Sequence, residues 1–200
     1  MMLGSRGGRR KSATFVEMIV FLDYDGVLHP DAAYYVQSRR RSYIELRADG
    51  ELFMWMPILE RLLEPYSDVK IVLSTSWVRE LGFSKARAFL SPWLQSRVIG
   101  GTWHSMMSQH REGFHRISER WSELTRYQQI ARYISTKKPG DSWIAIDDDI
   151  LGWDQSVAHR LVATDPSTGL SDPATQELLI ERLYACAHSS DRGGGSCIYD

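Results

Sequence analysis

Nothing in this chain constrains the fold more than the stretch Phe21-Leu22-Asp23-Tyr24-Asp25-Gly26-Val27-Leu28. An apolar run over residues 18–22 leads into two aspartates one residue apart, then a glycine and a second apolar step. A short apolar run closed by glycine reads as a buried strand with a sharp exit. Side chains at i and i+2 of a strand point the same way, so Asp23 and Asp25 leave the strand end together on one side. Two carboxylates held close repel, and one is driven to keep its proton unless a cation lies between them. A hard cation bound through oxygen, magnesium above all, resolves that conflict. Asp and Gly are also ordinary turn residues, so the motif alone is equally a polar turn after a buried strand.

Two later segments shift the balance. Val69-Lys70-Ile71-Val72-Leu73 ends in Ser74-Thr75-Ser76, and Trp143-Ile144-Ala145-Ile146 ends in Asp147-Asp148-Asp149. In open α/β sheets, ligands bind at the carboxyl ends of the strands. Three strand ends carrying paired carboxylates, hydroxyls and further carboxylates can converge there on an acidic metal site beside a phosphate-sized pocket.

Asp-x-Asp-Gly-Val-Leu, an apolar strand ending in Ser/Thr and an apolar strand ending in Asp-Asp, in that order, resemble the haloacid dehalogenase (HAD) superfamily of phosphohydrolases. Phe-Leu-Asp-x-Asp-Gly-Val-Leu-His-Pro, Ser-Thr-Ser-Trp and Ile-Asp-Asp-Asp are similar to a small branch related to the HAD domain of RNA-repair proteins. The resemblance spans residues 17–185, with gaps between motifs. It implies an α/β fold: a HAD-like Rossmannoid three-layer sandwich with a mainly parallel central sheet, a small hairpin flap and no large cap domain. It also implies a magnesium-dependent phosphatase acting through an aspartyl-phosphate. The substrate would be phosphorylated, either a small molecule or a nucleic-acid end. Alternatives in the same fold are an end-processing phosphatase or phosphotransferase, and a non-catalytic phosphate-binding module.

By this resemblance Asp23 is the nucleophile and Asp25 the general acid, then base. Magnesium is held by Asp23, the backbone carbonyl of Asp25, Asp147 and Asp148. Ser74 or Thr75 donates to phosphate oxygens, the register leaving both open, and Gly26 and His29 lie at the substrate. His29 either touches substrate or caps the loop. The superfamily usually places a lysine near the start of the helix before its last motif; here that helix begins with Arg126, and Lys137 and Lys138 stand at its far end. A guanidinium binds phosphate oxygens well, so Arg126 is the expected cation. Asp149 is either a third carboxylate or a turn cap, and Asp154 is a fallback ligand. Trp77, directly after the Ser/Thr motif, is expected to line the substrate pocket. Arg39-Arg40-Arg41 reads as a solvated loop that could guide a polyanion. His104, His110 and His115 lack a rigid metal spacing, which argues against zinc.

The remainder of the chain is consistent with one soluble domain. Of its 200 residues 43% are hydrophobic and 24% charged, enough chain and enough apolar content for a real core. The net charge of -1 gives no global pull toward nucleic acid or an anionic membrane. Two cysteines, Cys186 and Cys197, argue against a disulfide scaffold and fit a reducing cytoplasm. No apolar run reaches about 18 residues, so no membrane helix is expected. No obligate protein partner is evident. Residues 1–16 read as a disordered basic leader, 17–188 as the HAD-like domain and 189–200 as a Gly/Ser tail. Within the domain, residues 43–47 and 52–56 flank Asp49-Gly50 and predict a hairpin. Helices are expected from Pro57 through Leu63, over 84–90 with Ser84 as N-cap, over 124–134 and over 173–188, with a strand over 159–164. Residues 91–120 carry no clear period and read as an irregular lobe.

Overall fold

The computed structural model describes residues 18–36, 43–103, 124–138, 140 and 142–188. The leader, the tail, Arg39-Arg40-Arg41 and His104, His110 and His115 lie outside the described residues. Seven strands are described: β1 (Ile19–Leu22), β2 (Ala33–Val36), β3 (Tyr43–Leu46), β4 (Lys70–Leu73), β5 (Val98–Gly101), β6 (Trp143–Asp147) and β7 (Leu161–Ala163). The described helices are α1 (Met56–Leu63), α2 (Ser76–Leu81), α3 (Phe83–Ala88), α4 (Pro92–Arg97), α5 (Arg126–Lys137) and α6 (Pro173–Ala187).

Five strands form a parallel sheet in the order β5-β4-β1-β6-β7. The chain runs outward from β1 through β4 to β5, then returns to the other side of β1 for β6 and β7. The strand order therefore reverses beside β1, the place where such sheets bind ligands. Leu22 pairs in register with both Leu73 and Ile146. The next residues, Asp23, Ser74 and Asp147, thus emerge on one rung of the sheet edge. The Asp23 amide donates to the Ile146 carbonyl (3.1 Å) and the Ser74 amide to the Leu22 carbonyl (2.8 Å).

The strands read as continuous apolar runs because both faces of the sheet are covered. Val20, Leu22, Ile71, Leu73, Ile144 and Ile146 face a core shared with Leu59 and Leu63 of α1 and Leu179 and Leu183 of α6. Ile19, Phe21, Val72, Trp143 and Ala145 face a second core closed by Ile130 of α5. Each fully buried aliphatic side chain of this kind contributes about 1.5–3 kcal/mol. The acidic strand ends are therefore anchored by the core rather than by their loops.

Local sequence explains the helix boundaries. Pro57 sits in the first turn of α1, where its missing N–H costs nothing. Thr125 caps α5 in a reciprocal capping box with Gln128. Asp172 caps α6 through the Thr175 amide. The helix expected over 84–90 instead begins at Phe83, and Ser84 is not its cap; Gly82, with φ +86°, serves as the joint between α2 and α3. The expected strand over 159–164 is shorter, because residues Ala158–Arg160 form a 3-10 turn before β7.

The expected hairpin exists, but with a different partner. β3 pairs antiparallel with β2 upstream, Tyr35 facing Ile44, and not with residues 52–56. The chain only bends at residues 48–50; the hydrogen-bonded turn follows over 52–55, where Phe53 takes φ +61° and buries itself with Trp55, whose amide donates to the Leu28 carbonyl (2.9 Å). Burying both aromatic rings in the core outweighs leaving residues 52–56 as one half of an exposed ribbon. The described part of the expected irregular lobe is also ordered: it forms α4 and the edge strand β5. Among the described residues the hairpin is the only addition over the sheet edge, and no helix is long and apolar enough to cross a membrane.

Candidate active site

Asp23 follows β1 directly and is 3% exposed. Its Oδ1 accepts the Tyr24 amide (2.7 Å) and its Oδ2 accepts Arg126 Nη2 (2.9 Å). The nearby Thr75 hydroxyl favours the ionised form of this carboxylate. Burial pushes Asp23 above the usual carboxylate range and Asp25 adds to the effect, against the opposing pull of Arg126.

The chain then turns tightly. The Val27 and Leu28 amides donate back to the Tyr24 carbonyl, and Gly26 takes φ +65°. A Cβ at Gly26 would lie 2.5 Å from Asp148 Oδ2, and the Gly26 carbonyl accepts the Thr164 hydroxyl (2.7 Å). Gly26 therefore lets the β1 loop and the Asp148 carboxylate share one space, a packing role beside its expected place at the phosphate.

Asp25 is gripped by two rings. Trp77 Nε1 donates to its Oδ2 (2.8 Å), and His29 Nε2 lies 3.1 Å from its Oδ1. His29 is fully buried against Phe53 and Trp77. This contact fixes Asp25, whereas the sequence suggested a substrate contact or a loop cap. Trp77 likewise lies under the site with its N–H on Asp25, and its ring also borders the small hollow beside Asp25.

At the end of β6, Asp147 is 1% exposed and Asp148 half-buried. Ligand oxygens of Asp23, Asp147 and Asp148 all lie within 4.8 Å of one another. Burial pushes Asp147 well above the usual range, reinforced by Asp23 and Asp148. Burial first, then Asp23 and Asp31, raises Asp148 to about 6. Burial and mutual repulsion raise the proton affinity of all three carboxylates, a cost that a bound cation would offset. Asp147 Oδ2 takes no hydrogen bond among the described residues; Arg126 Nε approaches it to 2.9 Å without hydrogen-bond alignment. An orphaned buried oxygen in an all-carboxylate set fits magnesium.

Arg126, the first residue of α5, lies between the two strand ends, 2.9 Å from both Asp23 and Asp147. Burial alone would lower its proton affinity, but the surrounding carboxylates hold the guanidinium above its ordinary range. Lys137 lies eleven residues further along α5, about 16 Å at 1.5 Å per residue. Lys138 is the left-handed C-cap beyond it. Neither lysine reaches the carboxylates from there.

Ser74 is fully buried, and its hydroxyl takes no hydrogen bond among the described residues. Thr75 caps α2 through the Trp77 amide (3.4 Å). Thr75, Ser76, Arg79, Arg126, Gln129 and Asp149 line a polar hollow of about 170 Å³. Asp149 lines that hollow and also closes a turn by accepting the Leu151 amide (2.9 Å). Asp154 is exposed and turned onto Ser156, away from the acidic trio.

The chain matches the family described as HAD domain in Swiss Army Knife RNA repair proteins over residues 19–175. It belongs to this HAD family. HAD domains are generally hydrolases and typically use Mg²⁺. No curated protein and no solved structure gives a significant match to the chain. Several parts of this HAD site were not read from the sequence: the Trp77 hydrogen bond to Asp25, the Thr164 bond to Gly26, the repulsion of Asp31 felt by Asp148, and Arg79 and Gln129 in the polar hollow. Only the start of a helix within Ser74-Thr75-Ser76, with Thr as N-cap, could have brought Trp77 and Arg79 onto the site side.

Proposed function

We propose that this HAD domain is a magnesium-dependent phosphohydrolase that forms an aspartyl-phosphate on Asp23. The observation that carries this reading is the trio Asp23, Asp147 and Asp148 with Arg126 between two of its members, all at the strand-order reversal. Asp23, Asp147, Asp148 and the Asp25 backbone carbonyl would hold Mg²⁺, which when bound offsets the repulsion between carboxylates and phosphate.

An Asp23 oxygen attacks phosphorus as the bond from phosphorus to the leaving oxygen breaks, and Asp25 gives that oxygen its proton. Asp25 then takes a proton from water, the water oxygen attacks phosphorus, and the bond to Asp23 breaks to release phosphate. Trp77 and His29 hold Asp25 in position for both transfers. The Arg126 guanidinium, Ser74 and Thr75 hold the phosphoryl oxygens.

The family match favours a nucleic-acid end as the phosphorylated substrate over a small molecule. The test is a magnesium-dependent phosphatase screen that includes 3′- and 5′-phosphorylated DNA and RNA ends, run beside Asp23→Asn. Turnover should vanish in that variant, and beryllofluoride with magnesium should bind the wild-type carboxylate as an acyl-phosphate mimic. Full activity in Asp23→Asn would sink the covalent route.

A further inference from the structure

A groove between the β2–β3 hairpin and helices α2 and α3 leads from Asp25 out to the surface. Its inner end is a hollow of about 100 Å³ bordered by Asp25, Ala33, Tyr35, Ile44, Trp77 and Leu81. Its outer part measures about 740 Å³ and is bordered by Tyr35, Tyr43, Ile44, Leu81, Lys85 and Phe89. Tyr35, Ile44 and Leu81 border both, so one ligand can run from Asp25 to the surface.

The walls are unusually aromatic for solvent-facing surface. Tyr35, Tyr43 and Phe89 remain 47%, 48% and 39% exposed. Phe89 stacks parallel on Phe53 (5.6 Å, 19°) and meets Trp77 edge-on (5.0 Å). Trp77 in turn holds Asp25. The rigid aromatic cluster under the site thus continues without a break into the groove. Glu80 also borders the inner hollow but is ion-paired with Arg79 (2.9 Å), while Lys85 brings a cation to the outer rim.

We propose that this groove is the subsite for the nucleobase of the leaving group, a nucleoside whose phosphate is transferred at Asp23. The inference rests on the phosphohydrolase reading, in which Asp25 protonates the leaving oxygen and so marks the side on which the leaving group lies. The inner hollow is too small for a base and suits the ester neck. The outer part falls within the range of small-ligand sites. Exposed aromatic rings beside a cation are the platform on which bases stack, with little preference among them. Lys85 is placed for a neighbouring phosphate. A mononucleotide and an oligonucleotide end share this chemistry.

The test compares kcat/KM with magnesium on ribose 5-phosphate, a nucleoside monophosphate, a short end-phosphorylated oligoribonucleotide and phosphotyrosine. The wild type should prefer the base-bearing substrates over ribose 5-phosphate by about 10-fold or more. Tyr43 borders only the outer part, so Tyr43→Ala should lose most of that preference while leaving ribose 5-phosphate turnover unchanged, and Tyr43→Phe should retain it. A further gain on the oligonucleotide that Lys85→Ala removes identifies a strand end as the source; equal rates on both identify a mononucleotide. Equal losses on ribose 5-phosphate, or a preference for phosphotyrosine, overturn the subsite while leaving the phosphatase reading intact. If no phosphoester is hydrolysed, the phosphatase reading fails, and equilibrium binding of the unphosphorylated nucleoside decides the groove alone. Binding that Tyr35→Ala weakens upholds the subsite, and no binding overturns it.

Discussion

A methyl group at position 26 would lie 2.5 Å from Asp148 Oδ2, on a backbone with φ +65°. The left-handed conformation alone costs an alanine about 1–2 kcal/mol, and the clash must move either the loop or the carboxylate. Gly26→Ala is therefore expected to weaken magnesium binding about 10–100-fold, the range seen when support for a ligand is lost. Calorimetric titration with magnesium checks this; unchanged affinity would remove Asp148 from the ligand set. Arg126→Ala is expected to slow phosphoryl transfer about 10²–10³-fold, measured in single turnover. At this scale the sequence was informative wherever candidate site residues sit at a strand end: Asp23, Ser74 and Asp147 each follow an apolar run directly, and Asp148 comes one residue later. Arg126 was legible from its place at a helix start. His29 and Trp77 were expected at the substrate, but their grip on Asp25 was not legible, for they lie four and 52 residues away from it. Only the folded turn and the start of α2 bring them together.

At the scale of the element, α5 presents Arg126 as its first residue, immediately after the Thr125 cap. Thr125→Ala should cost about 1 kcal/mol of stability. It should also lower kcat more than an equally destabilising change elsewhere, because a frayed first turn releases the guanidinium from Asp23 and Asp147. Urea denaturation beside steady-state kinetics measures both. Ser84→Ala is the contrast: Ser84 caps nothing, so stability should stay within about 0.5 kcal/mol. The same elements explain what could be read in advance. Strong start markers, Pro57 and Pro173, place two helices within about a residue; the helix expected over 124–134 starts at Arg126 and runs on to Lys137. The edge strand β5 was hidden because two of its four residues are glycines, Gly100 and Gly101. A Cβ at Gly101 would come within 3.3–3.4 Å of two backbone carbonyl oxygens, so close packing, not strand propensity, selected it. The hairpin partner was misread because Asp49-Gly50 reads as a good turn whether or not a strand follows it.

Across the whole molecule, the acids make stability depend on pH in a definite direction. Asp148 is raised to about 6, and Asp23 and Asp147 are also raised, against an unfolded value of about 3.9. Between those values the native state holds protons that the unfolded chain releases, so stability falls as pH rises through this window. The exposed caps Asp154 and Asp172 are lowered and titrate below it. With EDTA, the melting temperature should be higher at pH 5 than at pH 7, and Asp148→Asn should flatten the slope. Magnesium needs ionised ligands, so its stabilising effect should grow over the same interval. A flat EDTA profile in the wild type would contradict this account.

The guanidinium between β1 and β6 has one further consequence. Deleting one partner of a buried ion pair typically costs about 3–5 kcal/mol, so Arg126→Ala should unfold far more readily in EDTA than in magnesium. In the wild type the gap should be smaller than in that variant. On the magnesium-dependent reading proposed above, the protein carries its own ballast: a permanent organic cation would keep the sheet edge trimmed when the inorganic one departs. Chelation should silence such a protein without melting it, and adding magnesium should restart it at once, with no refolding lag.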